Sequence, residues 1–324
     1  MIELLQQWKE AGSFAAVWFT TWFLLFALLW LLYPLVRRVL MTWHPAMASN
    51  ALLLLMSLPP LAGLLTTMML FSGLLELNLI TTHYHGSTCE ERFPMLESPW
   101  VLGLVLGASA LALLTICGKC LAHMHHAKRL KVHLNLLGEN HGHWCLLPNQ
   151  EFLVFTLGWL DNTIFITDGL LKQCRERDIE IILAHEQAHA LRKDNLRILA
   201  SRLLLLIVPA ASTRRMCDDL LLFIEAACDL VTARTHGALE VAETLLRIQR
   251  LVPDRFSYDS RTLVSAFTGS EVEARILLLV EEGRGTKPKP GAWLPVVYVL
   301  LLLATTLMLV DPMHHGMEWL LRDN

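Results

Sequence analysis

Charged residues are scarce in this chain of 324 residues: Asp, Glu, Lys and Arg make up 18% of it, whereas 54% of the residues are hydrophobic. Soluble domains carry about 25% charged residues, so the composition excludes an ordinary soluble protein. It favours a membrane part joined to a domain of usual size. The formal net charge of −3 provides no basic excess, and we expect no direct binding to nucleic acid.

Cysteine is also sparse. Seven cysteines in the whole chain do not indicate a disulfide framework. Internal repeats and low-complexity stretches are absent from the sequence. Histidine, by contrast, is abundant with 14 residues, so a metal site has to be inferred from the spacing of histidines rather than from their number.

Four stretches are apolar over about 20 residues, the length that a helix needs to cross a hydrocarbon core. They lie at about 14–36, 51–75, 100–121 and 293–310, and membrane lipid is therefore an expected partner. The flank before the first stretch is not basic, and no small-residue cleavage site follows it. We therefore interpret it as a true span rather than as a signal peptide.

The distribution of lysine and arginine predicts the orientation, because these residues accumulate on the cytoplasmic side of a membrane. They follow the first and third stretches and precede the fourth, whereas the segment between the second and third has one arginine and four glutamates. We expect a multi-pass protein of the bacterial inner membrane, with both termini outside. Three domains are predicted: a membrane region at 1–121, a cytoplasmic domain at 122–291, and a fourth span with a short outside tail at 292–324.

The predicted cytoplasmic segment has the length of one domain. It starts with a basic, polar stretch that we interpret as a connector. Apolar runs between 144 and 167 are rich in Phe, Ile, Val and Thr and predict a small sheet or hairpin. A long helix is expected from about Asp178 to Pro209, and another from Thr213 to His236. The predicted fold is thus a mainly α membrane protein with four transmembrane helices and an α+β domain between spans three and four.

The stretch AHEQAHALRKDN, at 184–195, contains two histidines four residues apart. On a helix, His185 and His189 project from one face, so that both imidazoles can reach one tetrahedral metal ion while Glu186 points toward a water molecule. The apolar approach IEIILA and the small alanines around the motif favour this interpretation. The alternative is a polar helix whose surface histidines match the pattern by chance.

A third ligand is available one helix later, in LLLFIEAACDLVTA at 220–233. Glu225 and Asp229 share a helical face there, and a carboxylate inside an apolar helix is costly unless it is paired or bound to metal. We therefore predict one Zn²⁺ per chain, with Glu186 taking a proton from water during hydrolysis. Cys228 is interpreted as a packing residue rather than as a ligand.

The segments HEQAHALRKDN and EAACDLVTA resemble the gluzincin metallopeptidases, in which HExxH is followed by ExxxD. They are similar to the BlaR/MecR family of membrane antirepressor peptidases, peptidase family M56. The order of three spans, a protease insert and a fourth span extends this resemblance over most of the chain. It implies an integral-membrane zinc endopeptidase that acts in signalling by cleaving a cytoplasmic transcriptional repressor or regulator. Self-cleavage and a homo-oligomer are left open.

The resemblance also implies roles for single residues. His185, His189 and Glu225 would bind zinc, and Glu186 would be the catalytic general base. Asp229 and Asp194 would orient the two histidines from outside the ligand set.

Two departures from the BlaR/MecR pattern keep other functions open. The sequence contains no penicillin-binding sensor domain with an acylating serine-x-x-lysine motif. The stretch LDNTIFITDGLL, at 160–171, is closer to the HtpX-type membrane peptidases, which perform protein quality control. A non-proteolytic membrane receptor with a structural zinc site is the third alternative.

Histidines and a cysteine also occur in the segments predicted to lie outside. They are His83, His85 and Cys89 between spans two and three, and His314 and His315 in the tail. Imidazole and thiol groups together suit a transition metal, and such a site could sense metal outside the cell. The alternative is two short polar segments that happen to contain histidine.

Overall fold

The computed structural model describes residues 2–71, 96, 98–251, 269–282 and 293–322. The chain folds into two compact units. The first consists of Met1–Arg38, Leu54–Cys117 and Gly291–Asn324, and the second of Val39–Leu53 and Gly118–Pro290.

The described chain is mainly helical. The helices are α1 (Ile2–Leu40), α2 (Pro45–Phe71), α3 (Pro99–Leu137), α4 (Asp168–Gln173), α5 (Glu176–Arg192), α6 (Asp194–Leu204), α7 (Ala210–His236), α8 (Ala238–Leu251), α9 (Gly269–Glu282) and α10 (Trp293–Arg322). The strands are β1 (Glu139–Asn140), β2 (Trp144–Leu147), β3 (Val154–Leu157) and β4 (Thr163–Thr167).

Among the described residues, four helices are long and apolar enough to cross a membrane, as the sequence predicted. The candidate spans are Glu3–Leu40, Pro45–Phe71, Pro99–Leu137 and Trp293–Met313. In the spans of α3 and α10, leucines and a methionine are more than half exposed in the protein: Leu104, Leu111, Leu114, Leu300 and Met308. Apolar surface of this extent is stable when lipid covers it.

Helices α1 and α2 approach each other closely within the first unit. A Cβ at Gly63 would lie 3.2 Å from both the ring and the backbone oxygen of Trp18, so a small residue is needed at this crossing. The Trp18 indole donates a hydrogen bond of 3.0 Å to the carbonyl of Pro60. Ser57 and Tyr298 share a 2.7 Å hydrogen bond that joins α2 to α10.

Helix α3 extends beyond the predicted end of its span at residue 121 and continues to Leu137. The basic stretch that we interpreted as a connector is therefore helical. It contains no glycine or proline until Gly138, so nothing in the backbone stops the helix earlier. A Cβ at Gly138 would clash with the sulfur of Cys145, and glycine there allows the chain to turn closely against β2.

The apolar runs between 144 and 167 form β2, β3 and β4, and the short strand β1 completes a four-stranded sheet in the order β1-β2-β4-β3. Strands β2 and β4 are parallel, and the other two pairs are antiparallel. Ile164 and Ile166 of β4 pack in one core with Ile182 of α5, whereas Phe165 points to the other face and packs with Ala127 of α3. The alternation of a β-strand explains this division. The sheet is thus held against α5.

The prediction of one long helix from 178 to 209 is wrong, because the segment is divided into α5 and α6, and α6 ends at Leu204, before Pro209. Lys193 separates them in the left-handed conformation, with φ 56° and ψ 43°. No glycine or proline marks the break. The turn begins α6 at Asp194, whose buried carboxylate reaches back to His189 of α5. The end of α7 before Gly237, with φ 87°, agrees with the sequence.

The left-handed turn generates a prediction about stability. The Cβ of an L-residue costs roughly 1–2 kcal/mol in this conformation, and a β-branched residue tolerates it least. Because Lys193 is exposed and, as an L-residue, already bears this cost, we expect Lys193→Gly to raise the free energy of unfolding by up to about 1 kcal/mol, and Lys193→Val to lower it. Thermal unfolding of the detergent-solubilised protein measures both changes.

The control is Glu243→Val at an exposed position of α8, where valine costs at most about 0.7 kcal/mol. Equal losses for Val at positions 193 and 243 would contradict the left-handed turn.

Candidate metal centre

Helices α5 and α7 pack against each other, and each contributes two polar side chains spaced by one turn. The Nε2 atoms of His185 and His189 lie 3.1 Å apart. The Glu225 carboxylate approaches both, with one oxygen 3.3 Å from Nε2 of His185 and the other 3.5 Å from Nε2 of His189. Three potential ligands therefore converge on one point.

The size of this triangle can be compared with the size of a zinc site. Tetrahedral zinc with bonds of about 2.0–2.1 Å to nitrogen or oxygen holds its ligand atoms about 3.3 Å apart. The three observed separations, 3.1, 3.3 and 3.5 Å, lie on both sides of this value. The side chains of His185, His189 and Glu225 remain 12%, 15% and 11% exposed, which leaves an approach for a fourth ligand. These residues fit zinc in size and in chemistry.

The other ring nitrogen of each histidine faces a buried carboxylate. Nδ1 of His185 lies 3.0 Å from an oxygen of Asp229, and Nδ1 of His189 lies 3.0 Å from an oxygen of Asp194. A carboxylate at this distance holds the proton on Nδ1 and leaves the lone pair on Nε2. Both lone pairs then point to the centre of the triangle. The structure brings Asp229 and Asp194 beside the two histidines, and their role of orienting the rings stays a prediction.

Sequence reasoning missed Arg275 of α9, which is 3% exposed. Its guanidinium donates two hydrogen bonds to Asp229, of 2.6 and 2.7 Å, and lies 3.2 Å from Glu225. A signal for it exists in the sequence, since an arginine stands on the apolar face of a helix between Val272 and Leu279, both buried. A charged residue at such a position needs a buried partner of opposite charge.

The electrostatic surroundings favour a positive charge at the centre. Burial alone would lower the pKa of His185, but its hydrogen bonds to Asp229 and Glu225 raise the pKa above its ordinary value. Burial alone would raise the pKa of Glu225, but the charges of His189 and Arg275 hold it well below the usual range. The Glu225 carboxylate is therefore ionised at neutral pH. The surroundings stabilise a positive charge at the centre, such as that of a metal ion.

Glu186, the predicted general base, lies beside the sheet. The hydroxyl of Thr156 on β3 donates a 2.7 Å hydrogen bond to the Oε2 atom of Glu186. Asn195 of α6 in turn donates bonds of 2.9 and 3.1 Å to the carbonyls of Thr156 and Gly158. Sequence reasoning identified neither Thr156 nor Asn195. They fasten the edge strand of the sheet to the helix that carries the motif.

Cys228 was interpreted as a packing residue, and it is fully buried, but it also makes polar contacts. Its sulfur lies 3.3 Å from both Nδ1 of His189 and Oδ2 of Asp194. Burial raises the pKa of Cys228 to about 12, so the group is a thiol at neutral pH. The cations Arg192 and Arg197 flank Asp194 at 3.3 and 3.6 Å and oppose a second metal ion there. The contacts of Cys228 are those of a hydrogen-bonding neighbour.

The residues proposed for metal sensing outside are not joined to this site in the part of the chain that the structure describes. His83, His85 and Cys89 lie outside the described residues. His314 and His315 belong to α10, and their side chains are likewise outside the description. The sensing site stays a prediction.

The buried arginine generates a second prediction. Removing one partner of a buried ion pair leaves an uncompensated charge and costs about 3–5 kcal/mol. We therefore expect Arg275→Met to lower the melting temperature strongly and to reduce metal content, because Glu225 and Asp229 lose their counter-charge.

The control is Arg177→Met, which removes an arginine that is half exposed and paired with Glu180 and Glu240. This change should leave the melting temperature unmoved. Similar melting temperatures for the two variants would show that Arg275 does not hold the site together.

A comparison with protein-family models finds a match. Residues 149–250 match the family model of Peptidase family M48, and this range contains the HExxH motif, Glu225 and Asp229 but not Arg275 or the four candidate spans. No curated protein and no solved structure matches the chain. The match covers less than half of the chain and does not support the narrower resemblance to BlaR/MecR. Together with the four long apolar helices, it supports a membrane metallopeptidase.

Proposed function

We propose that this protein is a membrane-bound, zinc-dependent endopeptidase of the HExxH…ExxxD type. The observation that carries the proposal is the convergence of His185, His189 and Glu225 at separations of 3.1–3.5 Å, within a segment that matches peptidases of family M48. Peptidases of that family are typically zinc-dependent. An α+β peptidase domain, built from the sheet and from α5 to α9, would carry the site.

Each residue has a separate task in the proposed hydrolysis. His185, His189 and Glu225 hold the ion, and Asp229 and Asp194 keep the imidazole rings in the binding tautomer. Zinc, when bound, supplies a Lewis acid that polarises the scissile carbonyl and makes a water molecule more acidic.

Glu186 takes the proton of the attacking water and passes it to the leaving amine. Thr156 occupies one oxygen of the Glu186 carboxylate with its 2.7 Å bond and so sets its direction. No described residue hydrogen-bonds the other oxygen, which is the one we assign to proton transfer.

The location of the site is part of the proposal. Lysines and arginines around the spans favour a cytoplasmic peptidase domain, with both termini outside the inner membrane of a bacterium. A peptidase in this place can cleave a cytoplasmic repressor or regulator in response to an event outside, and can cleave itself. A homo-oligomer is compatible with this role.

A second role, protein quality control as in HtpX-type membrane peptidases, is favoured by one observation. The family match is to M48, which is consistent with this relative. The two roles differ in substrate. A quality-control peptidase should degrade an unfolded model protein such as reduced casein, whereas a repressor-specific peptidase should leave it intact. Incubation of the purified protein with casein and zinc therefore separates the two.

A third prediction tests catalysis. Glu186→Gln removes the proton acceptor but none of the proposed ligands. We expect this variant to keep about one zinc per chain and to lose proteolysis by roughly 10²–10⁴-fold. Elemental analysis and a peptide-cleavage assay measure the two quantities.

Glu180→Gln on the same helix is the control, since Glu180 is half exposed and pairs with Arg177. It should keep both zinc and activity. Undiminished cleavage by Glu186→Gln would show that Glu186 is not the general base. A wild type that binds zinc but cleaves no peptide would favour a receptor with a structural zinc site.

A fourth prediction tests the ligand set. Glu225→Ala should lose most of its zinc, because only two protein ligands remain. Asp229→Ala should bind zinc about 10–100-fold more weakly, because the imidazole of His185 loses the acceptor that fixes its tautomer. Asp218→Ala on the same helix, at a largely exposed position, should bind zinc as the wild type does. Full occupancy in Glu225→Ala would remove this residue from the ligand set.

A further inference from the structure

The first turns of α2 belong to the same compact unit as the metal centre and contact it through two arginines. Arg192, at the end of α5, donates a 3.3 Å hydrogen bond from a terminal nitrogen to the hydroxyl oxygen of Ser49. Arg197 of α6 donates a 2.6 Å hydrogen bond to the amide oxygen of Asn50. Ser49 is 1% exposed, and Asn50 is half-buried, so these contacts are part of the packed interior.

The Nε atoms of the same two arginines face the carboxylate of Asp194. The Nε atom of Arg192 lies 3.3 Å from Oδ2 of Asp194, and the Nε atom of Arg197 lies 3.6 Å from Oδ1. Asp194 in turn holds Nδ1 of His189 at 3.0 Å. Two parallel routes of polar contacts therefore lead from α2 to a metal-binding imidazole.

We propose that Ser49 and Asn50 are positioning residues of the metal centre, which act by holding Arg192 and Arg197 against Asp194 and thereby fix the ring of His189. This inference rests on the proposed function, because it takes His189 as a ligand of the ion. No motif in the sequence connects position 49 or 50 with the HExxH segment.

The polarity of each contact is suited to this task. The Ser49 hydroxyl donates its one proton to the carbonyl of Ala46, at 3.1 Å, so it can only accept from Arg192. The amide oxygen of Asn50 is an acceptor that meets Arg197 at a short distance. An arginine side chain has about 2 kcal/mol of rotamer entropy, and a fixed acceptor at its far end restricts the guanidinium to the place where it faces Asp194.

Asp194 depends on these two cations. Its side chain is 1% exposed, and its Oδ1 atom accepts no hydrogen bond from the described residues, so Arg197 compensates this oxygen by charge alone. A buried carboxylate that loses its counter-charge is costly. If Arg197 moves away, Asp194 is expected to rotate, and His189 then loses the acceptor that fixes its tautomer.

Helix α2 gives this arrangement a consequence for regulation. It continues as one helix from Pro45 to Phe71 and is one of the candidate spans. A rotation or shift of α2 would move Ser49 and Asn50 relative to α6. Metal affinity and catalysis would then respond to the position of a membrane helix without any change in the ligands themselves.

The experiment uses the full chain in detergent, with Zn²⁺ affinity measured by competition with a chromophoric chelator and with the visible absorption of the Co²⁺-substituted protein as a report of ligand geometry. Asn50→Leu keeps the side-chain volume but removes the acceptor, and Asn50→Asp keeps the acceptor. We expect Leu to weaken Zn²⁺ binding about 3- to 10-fold, less than the ~10–100-fold of a direct partner of a ligand, and to change the Co²⁺ spectrum. Asp should behave as the wild type.

Ser49→Ala and Ser49→Thr form a second pair, in which only Ala should weaken binding. Ser57→Ala is the control on the same helix, because the Ser57 hydroxyl bonds Leu54 and Tyr298 instead of the arginines. It should leave Zn²⁺ affinity and the Co²⁺ spectrum unchanged.

A double variant tests the route. The effect of Asn50→Leu should vanish in an Asp194→Asn background, because both changes interrupt the same contacts. Three results would each overturn the inference. The first is an undiminished effect of Asn50→Leu in the Asp194→Asn background, and the second is wild-type affinity and spectrum in both Asn50→Leu and Ser49→Ala. The third is an equal loss of affinity for Leu and Asp at position 50. A wild type whose zinc binding does not depend on His185 would contradict the proposed function itself. Normal binding in the wild type with unaffected α2 variants would contradict this inference alone.

Discussion

The burial of Asp229 is the constraint on which the centre depends. This carboxylate is fully buried between helices, and a buried carboxylate is tolerated only when donors reach both oxygens. His185 of α5 supplies one donor at 3.0 Å, and Arg275 of α9 supplies two, at 2.6 and 2.7 Å. Helices α5, α7 and α9 must therefore keep one relative position. The same position brings Glu225, one turn before Asp229, to the two imidazoles.

The parts of the site that the sequence predicted are those defined by spacing along one helix. His185 and His189 are four residues apart, as are Glu225 and Asp229, and a helix turns such pairs to one face whatever surrounds it. Arg275 and Thr156 could not be found in this way. Arg275 is 46 residues from Asp229, and Thr156 is 30 residues from Glu186. Their contacts exist only because three helices and the edge strand pack together, and packing is not encoded in local spacing.

In the fold too, the features set by the local sequence were predictable, whereas those set by tertiary contacts were not. The four apolar stretches were predictable, because the thickness of a bilayer fixes their length. The ends of the helices were not. The basic stretch after residue 121 has the composition of a surface connector, yet nothing in it stops α3 before Gly138. The break at Lys193 has no glycine or proline, and it occurs because Asp194 gains a buried contact with His189 that offsets a left-handed residue.

The two histidines are consequently supported in different ways. The partner of His185 is Asp229, which Arg275 of α9 holds by two hydrogen bonds. The partner of His189 is Asp194, whose two cations reach Ser49 and Asn50 on a helix that continues into a candidate span. A metal ion needs both imidazoles at once. On the proposal above, the loss of either support would lower the affinity, and the support of His189 is the one whose contacts begin on a candidate span.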